Sequence, residues 1–217
     1  NILDIIRVKP NNIGDRPVLI HFSTDEVYGD IVEGEHHETN LLHPSNPYSA
    51  AKAAADMLIL AWGRTYGVPY NILRPTNNYG EHQYHEKLIP LTVRCLQREK
   101  KIRLHDNGEP SRTWLHAQDT AEAVIVVIES GVRNEIYNIS GGFEQKNKDT
   151  VKQIIENFHG HQVDWSSYIN FGYVRKGQDV RYSVNDQKIR DLGWTPKKIF
   201  VDEIAKIVSS CKERFRW

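Results

Sequence analysis

The sequence predicts an α/β protein organised around a parallel sheet. Three observations in the first third of its 217 residues lead there. An apolar run, Val18-Leu19-Ile20, opens the segment VLIHFS, and a second short apolar segment, PYNILRP, ends at Pro75. Between them SNPYSAAKAAADMLILAWGRTYG has the composition of a long helix. Strand, helix, strand in that order is the mark of a right-handed parallel crossover.

The elements follow in order. Leu3, Ile6 and Ile2 in the opening NILDIIRVKP read as the end of a helix already under way. After a loop from Pro10 to Pro17, VLIHFS is nearly continuous in apolar residues, which predicts a strand buried on both faces. A polar loop rich in Glu and His runs from Gly29 to His43. Ser45 or Asn46 can cap the helix that follows, Pro47 suits its first turn, and Gly67 ends it. EKLIPLTVRCLQREK is helical, with Pro90 either in the first turn or kinking it. IRLHDNGEPSRTWLH predicts two short strands around the turn signal Asp106-Asn107-Gly108. AQDTAEAVIVVIESG is an apolar-faced helix ended by Gly131, and EIYNIS is a strand leading through Gly141-Gly142 to the helix DTVKQIIENF. The tail holds a strand-like YINFGYV, the loop RKGQDVRY, a small helix to Leu192, and a last helix from Val201 to Arg214. No repeat or low-complexity tract interrupts the chain, so it forms one compact unit or two intimately joined ones.

Composition removes several classes of function. Lys+Arg and Asp+Glu both number 28, so no global field attracts nucleic acid or an anionic membrane. No apolar run approaches the ~20 residues needed to cross a bilayer, and no signal peptide opens the sequence. Cys95 and Cys211 are lone, distant thiols, which suits a reducing cytoplasm. Neither has a second ligand at metal spacing, and His36, His37, His82 and His85 read as solvated loop histidines, so no metal is expected. Trp62, Trp114 and Trp194 are expected in the core. Asn138-Ile139-Ser140 is a formal glycosylation triplet, but it falls on a buried strand.

The chemistry gathers at the end of the first strand, where Asp25 and Glu26 stand side by side behind Ser23 and Thr24. Tyr48 and Lys52 lie four apart on the predicted helix and share a face. A cation beside a phenol favours the phenolate, so Lys52 is expected to lower the Tyr48 pKa and make a usable base. A lone Y-x-x-x-K is a weak signal. Its weight comes from context, because ligands of open α/β sheets sit outside the carboxyl ends of the strands. Thr24, Asp25 and Glu26 then point into the crevice that Tyr48 faces. Adjacent carboxylates push their pKa values apart, which suits one to act as acid and the other as base.

STDEVYG, NPYSAAKAAAD, RPTNNYG, EKLIP, SRTWLH, YNISGG and RKGQDVRY occur in this order and at family intervals. Together they resemble the nucleoside-diphosphate-glucose 4,6-dehydratases, extended short-chain dehydrogenases best known for acting on dTDP-glucose. The resemblance runs from about residue 1 through LGWTP to the last helix, and the Asp-Glu pair marks the subclass. It implies the C-terminal part of a Rossmann-type parallel sheet plus a smaller mixed α/β substrate-binding domain. It also implies tightly held NAD, which takes a hydride from sugar C4 and returns it to C6 after water is lost across C5–C6. Carried over, Tyr48 is the base for the C4 hydroxyl, with Lys52 tuning it and binding the nicotinamide ribose. Thr24 holds the C4 oxygen, Glu26 removes the C5 proton, and Asp25 protonates the departing C6 hydroxyl. Asn78 faces the cofactor. Asn77, Lys87, Leu88, Asn138 and the stretch from Arg103 to His105 contact the sugar nucleotide, while Arg112 and Arg175 suit its diphosphate. The family's Pro and His in the last motif stand here as Lys176 and Gln178, which bears on nucleotide and sugar preference.

The resemblance divides the chain into residues 1–80, a partial NAD-binding domain to which roughly 115–140 return, and 81–217, mainly the substrate domain. A Gly-rich turn that cradles the dinucleotide pyrophosphate is absent from these residues, and only 23 residues precede Thr24. The chain is therefore expected to supply the catalytic and substrate half without most of the NAD site. By analogy with the family it is expected to form a cytoplasmic homodimer acting on a nucleotide sugar. The competing readings are a related epimerase or decarboxylase, disfavoured by Asp25-Glu26, and a non-catalytic sugar-nucleotide-binding module.

Overall fold

The computed structural model describes residues 2–8, 16–174 and 179–214. Among them are the helices α1 (Ile2–Val8), α2 (Pro47–Tyr66), α3 (Leu88–Gln97), α4 (Ala117–Glu129), α5 (Asn147–His159), α6 (Gln187–Arg190) and α7 (Phe200–Arg214). The strands are β1 (Leu19–Phe22), β2 (Tyr70–Pro75), β3 (Asn77–Tyr79), β4 (Ile102–His105), β5 (Ser111–His116), β6 (Glu135–Ile139), β7 (Phe143–Lys146) and β8 (Ile169–Tyr173). The chain forms two compact units. One holds Asn1–Thr76, Thr120–Ser140 and Tyr182–Thr195; the other holds Asn77–Asp119, Gly141–Arg181 and Pro196–Trp217.

The first unit is a parallel sheet in the order β1-β2-β6, with Leu19 opposite Tyr70 and Asn71 opposite Glu135. The predicted crossover is the one that forms: α2 joins β1 to β2. Asn46 is the cap that the sequence left open between two residues. Its side chain accepts from Ser49 N–H and the Ser49 hydroxyl answers to the Asn46 N–H, a reciprocal pair that satisfies two otherwise orphan donors. Pro47 occupies the first turn, where its missing N–H costs nothing. Gly67 ends the helix in the left-handed region and donates to Gly63 O. Ser49, Ala53, Asp56 and Ile59, spaced three and four apart, form the buried face of α2. Ile59 packs with Leu3, Ile6, Val68, Tyr70 and Ile72, with Trp62 against the cluster.

One expectation for this unit fails. VLIHFS is not buried on both faces; Leu19, Ile20 and His21 are half-buried and Phe22 is exposed. Within the described sheet β1 lies at an edge with β2 as its neighbour, whereas the central β2 is buried over most of its length.

The second unit contains two small sheets. The two strands expected around Asp106-Asn107-Gly108 form, but not as partners: β4 pairs in parallel with β8, and β5 pairs in parallel with β3 and antiparallel with β7. Asp106, Asn107 and Gly108 all have positive φ, three in succession where a tight hairpin turn uses two, so the chain leaves β4 instead of folding back on it. The sequence reading also lacks β3 and β7. The first has only three residues and the second, FEQK, is polar, so neither carries a hydrophobic period. Tyr79, Trp114, Ile154 and Phe200 form one core cluster with Ile204, Ile207 and Val208 of α7. Gly141 is required here, because a Cβ would lie 1.9 Å from the Trp114 carbonyl oxygen.

Candidate active site

β1 hands over to the site through a hydrogen bond from Ser23 N–H to Leu73 O, 2.7 Å. Thr24 then caps a 3-10 turn, Asp25–Tyr28, with extended backbone of its own. Its Oγ1 accepts from Glu26 N–H at 3.3 Å and donates to Asp25 Oδ1 at 3.2 Å. One hydroxyl thus ties down both acidic residues. The turn places them in different surroundings: Asp25 is 2% exposed, while Glu26 is half-buried. That asymmetry is what a division between acid and base requires.

Gly29 closes the turn at φ 84°, ψ −171°, a region open almost only to glycine. A Cβ there would sit 2.3 Å from His43 O, just beside the bond that His43 N–H donates to Val27 O. Gly29→Ala is expected to cost at least about 1–3 kcal/mol of stability and to displace the acidic turn. Thermal unfolding of the two proteins checks it, and an unchanged midpoint would contradict the strain.

Beneath the turn lies a buried polar network that the sequence reading did not single out. Arg74, 1% exposed on β2, donates through Nε to Asp56 Oδ2 at 3.0 Å and through Nη1 to the Tyr28 hydroxyl at 2.6 Å. Ser23 Oγ also donates to Asp56 Oδ2, 3.0 Å. The Tyr28 hydroxyl donates a hydrogen bond to Asn138 Oδ1 at 2.8 Å. Burial pushes the Tyr28 phenol above its ordinary pKa, with Arg74 pulling the other way. The signal was present in two places: an arginine inside the apolar PYNILRP, and an aspartate on the buried face of an alanine-rich helix.

Tyr48 meets this turn from α2. Its hydroxyl lies beside Thr24 and within the fields of Glu26 and Asp25. Here the expectation about Lys52 is corrected. The Tyr48 pKa is raised, not lowered; desolvation is the first cause and the Glu26 charge the second, with Thr24 opposing. Lys52 Nζ instead donates to the Phe22 carbonyl at the end of β1. Four-residue spacing puts two side chains on one face, but a strand-end carbonyl within reach of the ammonium competes for it.

The first unit therefore brings together Thr24, Asp25, Glu26, Tyr48 and Lys52. Asn138, also predicted as a substrate contact, is 0% exposed. Its amide accepts from Tyr28 and donates to the carbonyls of His36 and Asn185, at 3.2 and 3.1 Å, so the structure gives it a bracing position. The remaining predicted residues belong to the second unit. Asn77 and Asn78 are half-buried on β3, and Asn78 O accepts from Gln83. Lys87 precedes α3 and is exposed, while Leu88 packs against the core. Arg103 lies over the Tyr173 ring at 5.1 Å, and His105 meets the same ring edge-on. Arg112 donates to the carbonyls of Ser111 and Asp179. Arg175, Lys176 and Gln178 fall outside the described residues. Among the described residues no cluster of His, Cys, Asp and Glu could hold a metal ion, and no helix is long and apolar enough to cross a membrane.

A parallel sheet whose crossover helix sets a Tyr and a Lys against an acidic turn at the strand's carboxyl end is the arrangement of a Rossmann-type extended short-chain dehydrogenase. The family model described as GDP-mannose 4,6 dehydratase matches residues 1–207, and the chain belongs to that family. It is 39% identical to a dTDP-glucose 4,6-dehydratase of Streptomyces niveus over 199 residues, which covers 91% of this chain and 58% of that protein. Among solved structures, the dTDP-glucose 4,6-dehydratase of Bacillus anthracis in complex with NAD superposes with a TM-score of 0.88 at 37% identity, covering 100% of this chain and 67% of that one. The Streptomyces venezuelae dTDP-glucose 4,6-dehydratase, solved with NAD bound, gives a TM-score of 0.84 at 40% identity over 90% of this chain and 60% of that one. The chain thus spans about three fifths of the length of the relatives it matches.

Proposed function

We propose that the protein carrying this chain dehydrates a nucleoside-diphosphate-glucose, bearing dTDP or UDP, to the 4-keto-6-deoxy sugar nucleotide. The observation that carries the reading is the placing of Tyr48 beside Thr24, Asp25 and Glu26, a phenol that can exchange a proton with a sugar hydroxyl next to two carboxyls in unlike surroundings. Tyr48 takes the C4 hydroxyl proton as C4 becomes a ketone, and Thr24 steadies that oxygen by a hydrogen bond. The ketone acidifies C5–H, Glu26 removes this proton, and Asp25 protonates the C6 hydroxyl, which departs as water. Relatives with NAD bound support the same cofactor here. The donor set fits its nicotinamide ribose: a phenolic hydroxyl and an ammonium, Tyr48 and Lys52, on one helix face at a strand's carboxyl end. Reversible hydride transfer is the chemistry that NAD supplies when bound. Asn77, Asn78, Lys87, Leu88, Arg103, His105, Arg112 and Arg175 are assigned to cofactor and sugar-nucleotide contacts on the family pattern, and a homodimer on the same ground.

The test is direct: the whole protein, given NAD and dTDP-glucose or UDP-glucose, should yield the 4-keto-6-deoxy product by NMR. An epimerised sugar with no loss of water would replace this reading by the epimerase one. The 217 residues alone are expected to bind NAD weakly, because no glycine-rich phosphate cradle lies among them. Micromolar affinity in a calorimetric titration would show that the cofactor site is built otherwise.

A further inference from the structure

Glu26 does not rely on its turn alone. Two side chains outside the acidic motif reach the same carboxylate oxygen: Asn46 Nδ2 donates to Glu26 Oε2 at 3.4 Å, and the Tyr182 hydroxyl donates to it at 3.4 Å. Tyr182 is 3% exposed, so its ring is fixed by packing and its hydroxyl has little freedom to wander. Asn46 is held by its other end. Its Oδ1 accepts from Ser49 N–H at 3.0 Å in the box that starts α2. The one amide therefore joins Glu26 to the helix that carries Tyr48 and Lys52. Both contacts are long, as hydrogen bonds of an unliganded site often are before substrate tightens them.

We propose that Asn46 and Tyr182 are positioning residues for Glu26. By engaging Oε2 they leave Oε1 as the oxygen that meets the sugar, and Asn46 sets its distance from Tyr48. The inference rests on the dehydratase reading and deepens it, since it concerns how the base of that reaction is held.

Capping and base-holding can be separated at Asn46. Asp is as good a helix cap as Asn, so Asn46→Asp keeps the acceptor for Ser49 while replacing the donor to Glu26 by a second carboxylate. In the whole protein, Asn46→Asp should leave the unfolding midpoint near that of the parent and slow C5 proton exchange with solvent at least about tenfold. Tyr182→Phe should slow exchange by a similar factor while C4 oxidation, which uses Tyr48 and not Glu26, keeps the parental rate. A merely structural role would slow both steps together. If Glu26→Gln still turns over fully, the dehydratase reading itself falls. If Glu26→Gln loses exchange while Asn46→Asp and Tyr182→Phe keep the parental rate of exchange, or slow exchange and C4 oxidation equally, only the positioning inference falls. Should Asn46→Asp prove unstable, the ratio of exchange to C4 oxidation in Tyr182→Phe decides.

Discussion

Glu26→Gln in the whole protein is expected to lower formation of the 4-keto-6-deoxy product by about 10²–10⁴-fold while oxidation at C4 continues. The two steps separate because they use different proton acceptors. Oxidation needs the C4 hydroxyl proton, which Tyr48 takes; elimination needs the C5 proton, which Gln cannot take. The substitution is nearly isosteric, and Gln retains an oxygen to receive the donors of Asn46 and Tyr182. A second effect has a definite sign. The Glu26 charge is one of the causes that raise the Tyr48 pKa, so its removal lets the phenol ionise at lower pH. The rising limb of C4 oxidation should therefore move to lower pH in the variant, even as product is lost. A variant with parental product formation would refute the assignment of the base. One with an unmoved limb would show that Glu26 and Tyr48 are not electrostatically coupled.

The same pair of residues shows what a sequence can and cannot carry. Tyr48 and Lys52 were legible as a pair sharing a helix face, and the crossover that sets Tyr48 against Thr24 was legible from one strand, one helix and one strand. What Lys52 does with its ammonium was not, since the competing Phe22 carbonyl belongs to a strand 30 residues away. The two supports of Glu26 were hidden for a similar reason. Asn46 was recognisable as a cap, but a cap's second hydrogen-bonding end has no sequence signature, and Tyr182 lies 156 residues from the carboxylate it reaches. The separate sheets of β4 and β5 also depend on partners elsewhere in the chain. Local propensity and motif order reach the elements and the reacting groups. They do not reach pairings that only the folded chain creates.

The largest expected loss of stability lies in the network under the turn. Arg74→Ala should destabilise the protein by about 3–5 kcal/mol, because it leaves the Asp56 carboxylate buried without its cation. Both partners are deep: side-chain exposure is 2% for Arg74 and 0% for Asp56 at a separation of 3.0 Å. For a chain of this size that corresponds to an unfolding midpoint lower by roughly 10 °C. The groups left near the orphaned carboxylate are the Ser23 hydroxyl, which donates to Oδ2 at 3.0 Å, and His21, whose Nε2 stands 3.5 Å from Oδ1. Together they replace only part of what a two-donor guanidinium gives. The double variant Arg74→Met/Asp56→Leu removes the uncompensated charge and should recover much of the loss, since well-packed apolar pairs often match a buried ion pair in stability. Recovery of stability need not restore activity. Arg74 also holds the Tyr28 hydroxyl at 2.6 Å, and Tyr28 ends the turn that presents Asp25 and Glu26. A double variant that is stable but slow in elimination would show that the pair is retained to aim the acidic turn; one that is both stable and fast would assign the network to folding alone.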